Sequence, residues 1–387
     1  MAAVTVPVNP KVLVWARESL GISVAEAASR VKVDEAVIRS WETGSRPPLV
    51  PLRELARLYR RPVATFLLPD VPKSPPRPAD RRAAAGKQGA QLSRKSREVL
   101  DRLNDYRAIA AELETEPAQT VSTTVLNAAL TSPWQAASAA RAELGIGIER
   151  QFSWKDNRQA FSAWRGVLER RGVLVFTMSM PTKEVRGLSI SGPDGPPAIV
   201  LSSGDSDAGK IFSLFHEYGH ILTGGGGICL PFEGPTRDRL PDAEIYSNRF
   251  AGALLVPSDA LGGMPEAQAL GASPTMPSDD EIQKVADRFR VSKQVIWYRL
   301  RDLEIISRLR FAAKWAAWRG QKLPTRRPRT PRVGVRVLNR RGVRFTGLVF
   351  DARTDASITT SEALAYLSIR LSDLDEVEAE LRRRALG

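Results

Sequence analysis

The sequence predicts an α+β chain: an all-helical N-terminal helix-turn-helix domain, a central domain with a small sheet and a metal-binding helix, and a small C-terminal α/β module. Three observations carry this. Residues 10–69 hold four short amphipathic helices separated by turns and capping residues. Residues 173–202 hold three short apolar runs rich in β-branched side chains, followed at once by a helix with two histidines four apart. Residues 343–350 read as a strand, with two helix signals behind them.

A chain of 387 residues has room for two or three domains with their own cores. Cys229 is its single cysteine, which excludes an intramolecular disulfide and fits a reducing compartment. The first ten residues lack a basic start followed by an apolar run, and no apolar stretch approaches about 18 residues. A cytoplasmic chain with no membrane span is expected. The net charge of +14 is unevenly placed: residues 101–304 carry −5, whereas 305–345 carry +13 and no acid. The basic excess therefore argues for local nucleic-acid contact, not for a basic protein as a whole.

In order along the chain, residues 11–20, 24–30, 35–42 and 52–59 read as helices, with Ser23 and Asp34 as caps and Gly44 as a stop. Short helix, tight turn, short helix is the helix-turn-helix plan. Lys32, Arg39, Arg46 and Arg53 suit phosphate contacts with double-stranded DNA. The reading end of the third helix, however, is Asp34 and Glu35, which a phosphate backbone repels. DNA binding and protein docking both stay open for residues 1–69. Residues 70–95 are a Pro-rich basic linker, and residues 96–150 a helical brace built on helices at 96–116 and 133–144.

Residues 161–171 continue as a helix, and strands follow at 173–178, 186–191 and 198–202. The strand at 186–191 is the chosen edge for pairing with an extended peptide. Next comes Phe215-His216-Glu217-Tyr218-Gly219-His220, an H-E-x-x-H pattern on a helix capped by Ser206 or Asp207 and stopped by the glycines from Gly224 on. Residues four apart stand one turn above each other, so His216 and His220 aim at one ion. Glu217 lies beside them as a general base toward water, the arrangement of a zinc hydrolase. The chain has two histidines in all, and both are here. A third ligand must come from Cys229 or a carboxylate: Glu233, Asp238, Asp242 or Glu244. Glu244 is preferred because it opens a helix over 242–256, with Asn248 one turn on as its outer partner. Tyr218 and Tyr246 are oxyanion-donor candidates, or packed aromatics. Cys229 reads as a latency switch on the metal or as a small buried hydrophobe.

These residues carry a resemblance. Phe161-Ser-Ala-Trp-Arg165, Gly172-Val-Leu-Val-Phe176, Arg186-Gly187-Leu188, the motif helix, Glu244-Ile-Tyr-Ser-Asn-Arg-Phe-Ala251 and Leu254-Leu-Val-Pro257 resemble the ImmA/IrrE family of zinc metallopeptidases. The resemblance covers most of residues 150–305. It implies a zincin-like fold, a gluzincin-type ligand set of His216, His220 and Glu244, and Glu217 as catalytic base. It also implies bacterial proteases that cleave transcriptional repressors in mobile-element induction or the stress response to DNA damage. Ser247 departs from the family, many members having alanine there. Residues 23–28, 37–44 and 55–62 are similar to Xre-type domains, which are fused to such peptidases in a familiar architecture.

Beyond the motif, residues 279–303 repeat the helix-turn-helix pattern inside the peptidase domain of 151–305. Lys293, Gln294, Trp297 and Arg299 offer a DNA-binding face; the alternative is a helix pair completing the core through Ile296, Leu300 and Leu303. Residues 306–332 are a basic linker whose tryptophans suit base stacking. In the module at 333–387, Thr359 and Glu362 form a capping box for a helix to Leu367, and 372–384 is a charged helix. The expected function is a Zn2+-dependent endopeptidase acting on a repressor-like or antitoxin-like protein. The alternative is a DNA-binding regulator, or an antitoxin-like binding protein, with a dormant metal site.

Overall fold

The structure, a computed structural model, describes residues 5–59, 61–72, 93–114, 132–181, 185–192, 194–224, 242–272, 276–318 and 331–385, with 79–80 and 227–229 as backbone. The chain divides into two compact units, 1–77 with 91–102 and 78–90 with 103–387. Most of the expected linker at 70–95 lies outside the described residues, as do Glu233, Asp238 and 319–330.

The first unit is all helical: α1 (Pro10–Ser19), α2 (Val24–Val31), α3 (Glu35–Glu42) and α4 (Leu49–Tyr59), then a 3-10 turn at Val63–Leu67. Asn9 accepts from Lys11 N at the start of α1, and Ser23 accepts from Glu26 N at the start of α2. Asp34 has the extended backbone of a cap, yet its side chain makes no capping bond. Leu13, Ile38, Trp41, Leu52, Leu55, Tyr59 and Phe66 form the core. Beside it Arg17 Nε donates to Glu42 Oε1 at 2.6 Å, a largely buried pair tying α1 to α3.

The chain continues through β1 (Ala79–Asp80) and α5 (Arg94–Leu113) into α6 (Pro133–Leu144), α7 (Ile148–Ser153) and α8 (Asn157–Arg170). Then come β2 (Leu174–Met178), β3 (Gly187–Ile190), β4 (Ala198–Ser202), α9 (Asp207–Leu222), β5 (Gly227–Cys229) and α10 (Asp242–Leu255). The five strands lie in the order β1-β5-β3-β4-β2. β2 runs parallel to β4, and β3 antiparallel to both β4 and β5. Every residue of β2, β3 and β4 is buried, because α9 packs against β3 and β4 while α8 packs on β2. This corrects one expectation. The strand chosen as a peptide-binding edge is paired on both sides, so its backbone groups are already used.

Helices α11 (Ser258–Gly262), α12 (Pro265–Ala272), α13 (Asp279–Phe289) and α14 (Lys293–Asp302) follow, each packed on the next, and α14 packs against α10. They are followed by α15 (Arg308–Trp318), where a linker was expected. Phe311 and Trp315 of α15 are buried against Tyr298, so Trp315 is spent on packing and is not offered to a base.

The C-terminal residues are helical throughout: α16 (Val333–Arg341), α17 (Val343–Thr354), α18 (Thr360–Leu367) and α19 (Leu374–Ala385). The expected strand at 343–350, and with it the α/β module, is therefore corrected to helix. Phe345, Thr346, Val349 and Phe350 are the buried positions, a spacing of four and not of two. A short apolar run fits either period until its neighbours are known. Here the decisive neighbour is Glu169 of α8, whose Oε2 accepts from Val343 N at 2.9 Å and caps α17. The capping box of Thr359 and Glu362 forms as the sequence indicates.

Candidate metal centre

Helix α9 forms where the sequence places it. Ser206 accepts from Gly209 N at 3.0 Å, and Thr223 ends the helix with its hydroxyl donating to Gly219 O and His220 O. Ile211, Leu214, Phe215, Tyr218, Ile221 and Leu222 bury one face in the main core, each stabilising by roughly 1.5–3 kcal/mol for a large side chain. Phe215 meets Trp164 edge-on at 4.9 Å.

The other face carries the polar groups. His220 Nε2 lies 3.1 Å from His216 Nε2, and Glu244 brings Oε2 to 3.3 Å of His216 Nε2 and Oε1 to 3.2 Å of His220 Nε2. The two nitrogens and the Glu244 carboxylate mark out a triangle, with each imidazole facing a different oxygen of the carboxylate. Ligands held at about 2.0–2.1 Å from a tetrahedral zinc lie about 3.3 Å from each other, and these three close separations are of that size. His216, His220 and Glu244 are buried, and among the described residues they form a group able to hold a metal ion.

Hydrogen bonds on the far side of each imidazole support this reading. His216 Nδ1 donates to Asn248 Oδ1 at 3.0 Å, which leaves Nε2 with its lone pair toward the triangle. His220 Nδ1 meets Ser247 Oγ at 3.1 Å. Burial opposes the charge of Glu244, but the hydrogen bonds and charges of His216 and His220 outweigh it and hold the carboxyl well below its usual range. His216 is correspondingly raised: burial works against its charge, and Glu244 and Glu217 overcome that.

Glu217 is 1 % exposed and sits outside the triangle, its Oε2 accepting from Ser189 Oγ of β3 at 2.7 Å. The strand comes this close because residue 187 is glycine. A Cβ there would lie 2.6 Å from Glu217 Oε1. Gly219 does the same for α10: a Cβ would stand 3.1 Å from Phe250 and 3.3 Å from Ser247 Oγ. Sequence reading passed over Ser189 and did not give Ser247 a role. A serine in a strand buried on both faces needs a partner, which is the signal that points to Ser189.

Other proposed residues fall elsewhere. Tyr218 is corrected: it is two positions, about 200°, round the helix from His216. Its ring packs with Phe215 and Phe250, and burial first, then the charge of Glu143, raises its pKa. It is a core residue and no oxyanion donor. Tyr246 is half-buried, with its hydroxyl enclosed and unpartnered. Arg299 is also corrected: it is 1 % exposed and donates to Val256 O and Ser258 Oγ, so it holds the core together and faces no nucleic acid. Trp297 is buried likewise. Lys293 pairs with Asp279 at 3.0 Å, and Gln294 is half-exposed. In the first unit Lys32, Arg39, Arg46 and Arg53 are exposed, with Arg39 beside Glu35 at 3.5 Å. Of Cys229 the backbone on β5 is described.

Comparison with known families agrees with this division. Residues 13–66 match the helix-turn-helix family, and residues 168–301, which include the whole triangle and Glu217, match the peptidase M78 family described as the IrrE N-terminal-like domain. No curated protein and no solved structure matches the chain. Within described residues no helix is long and apolar enough to cross a membrane. Residues 13–66 are thus similar to helix-turn-helix domains, and residues 168–301 to the IrrE N-terminal-like domain of the peptidase M78 family.

Proposed function

We propose that the chain is a zinc-dependent endopeptidase that cleaves a regulatory partner protein, a transcriptional repressor being the favoured class. The observation that carries this is the triangle of His216 Nε2, His220 Nε2 and Glu244 Oε with a buried carboxylate, Glu217, one residue from the first histidine. A histidine helix on a mixed sheet, with a third ligand from a following helix, suits a zincin-like fold of gluzincin type. The family match at residues 168–301 supports the peptidase assignment.

Bound zinc supplies Lewis acidity toward water and the scissile carbonyl. His216, His220 and Glu244 would hold it. Glu217 takes a proton from the attacking water as its oxygen bonds to the carbonyl carbon, and returns the proton to the departing amine as the C–N bond breaks. Ser189 holds the Glu217 carboxylate through Oε2. The buried surroundings strengthen each of these contacts.

The test pairs metal analysis with profiling of new protein N-termini. About one zinc per chain is expected in the wild type, with loss in His216→Ala and Glu244→Ala. Glu217→Gln is expected to keep the metal and to lose every cleavage product that wild-type cells show. Products persisting with Glu217→Gln would sink the mechanism.

A second reading, DNA-binding regulation by residues 13–66, draws on the helix-turn-helix match. The exposed end of α3 is acidic at Asp34 and Glu35, which leaves Lys32, Arg46 and Arg53 for phosphates. Affinity for duplex DNA that weakens steeply with salt would support it.

A further inference from the structure

We propose that Ser247 is a positioning residue that holds His220 in the metal-binding tautomer. One face of α10 then supplies the third ligand and the outer hydrogen bonds of both histidines. Glu244, Ser247 and Asn248 stand at i, i+3 and i+4, so they share that face. The inference rests on the zinc reading of the site.

For His216 the tautomer follows from its partner. Asn248 Oδ1 can accept and cannot donate, so Nδ1 carries the hydrogen and Nε2 the lone pair. For His220 the partner is a hydroxyl, which can do either. A proton on Nε2 would face His216 Nε2 at 3.1 Å and would bar that nitrogen from a metal. Coordination therefore requires Nδ1–H to donate to Ser247 Oγ. Ser247 is fully buried, so no bulk water stands ready to replace its oxygen. Gly219 leaves room for the hydroxyl between α9 and α10. Alanine at 247 would keep the helix and the packing, and would leave the His220 Nδ1–H without this acceptor.

The experiment uses the full chain labelled with 15N-histidine. With two histidines in the sequence, the spectrum of the zinc-loaded protein holds two imidazoles. Both are expected to be protonated at Nδ1. Zinc affinity is measured by competition with a chromogenic chelator in the wild type and in Ser247→Ala, together with the melting temperature of each metal-free protein. Ser247→Ala is expected to bind zinc about tenfold to a hundredfold more weakly. The ring signals of His220 should move, those of His216 should stay, and the metal-free protein should still melt in one cooperative transition. Affinity within about twofold of wild type with unmoved ring signals overturns the assignment. So does a metal-free Ser247→Ala that no longer melts cooperatively, since Ser247 would then be a packing residue. A wild type that binds no zinc overturns the zinc reading itself, and the positioning role falls with it.

Discussion

Ser189 donates its hydroxyl hydrogen to Glu217 Oε2 at 2.7 Å, and both side chains are buried. A carboxylate acting as general base must keep one oxygen aimed at the proton it takes. A fixed bond to the other oxygen provides that aim.

Ser189→Ala is therefore expected to retain its zinc and lower kcat about tenfold, or roughly 1.4 kcal/mol in the barrier. KM should change little, because Ser189 is buried behind Glu217 and does not face a substrate. Steady-state kinetics on an identified substrate, beside metal analysis, check this. A raised KM with unchanged kcat would assign Ser189 to binding instead.

Helix α9 was legible because three local signals coincide in it: the cap at Ser206, apolar residues at helical spacing, and the two histidines. Glu244 was preferred among several candidates because it opens a helix and the family resemblance implies it, and the structure brings it to both imidazoles. Ser189 was not reachable from the motif, since its partner lies 28 positions away and the pairing order of strands is not written in any one of them. The helix at Val343–Thr354 was misread for a related reason. Its period becomes clear from what buries it, and Glu169, which caps it, is 174 positions distant. Arg299 was misassigned because a basic residue on a helix-turn-helix pattern looks exposed, whereas two acceptors in the segment after α10 draw it inside.

Removal of the metal should destabilise the second unit. Zinc at a hundred times its dissociation constant adds about 2.7 kcal/mol. A chelator is expected to lower the melting transition of the wild type by about 5 °C or more. His216→Ala should show no such response. Calorimetry with and without chelator gives the comparison, and an unchanged wild-type transition would exclude a metal from the native state.

The metal-free protein should also have its own pH dependence. Burial disfavours the charges of His216 and Glu244, yet their mutual contact raises His216 above its usual 6.5 and lowers Glu244 below its usual 4.5. The raised histidine contributes stability that is fully present below pH 6.5 and is lost as pH rises through its folded value. The lowered carboxylate contributes above pH 4.5, and that contribution is lost as pH falls through its folded value. The metal-free melting temperature is thus expected to peak between pH 4.5 and 6.5. Zinc needs unprotonated imidazoles, so the loaded protein should gain over the metal-free one as pH rises. Melting curves of both forms across that range decide it.

The C-terminal helices should prove inseparable from the sheet. Arg165 of α8 donates to Glu169 Oε1 at 2.8 Å, to Asn339 O at 2.7 Å and to Val175 O, and the pair is buried. Glu169 in turn caps α17 through Val343 N. Burial lowers the pKa of Arg165 and Glu169 counters it, so the guanidinium depends on this one carboxylate for its charge balance. Glu169→Ala would leave a buried charge unpaired and α17 uncapped, at a cost of about 3–5 kcal/mol. Glu169→Gln keeps a capping oxygen but loses the ion pair, and should fall between the alanine variant and the wild type. The check is chemical denaturation with limited proteolysis. If the C-terminal helices were a separate module, Glu169→Ala would free residues 333–385 while leaving the sheet protected. Packed as they are, with α16 against β2, both should become susceptible together.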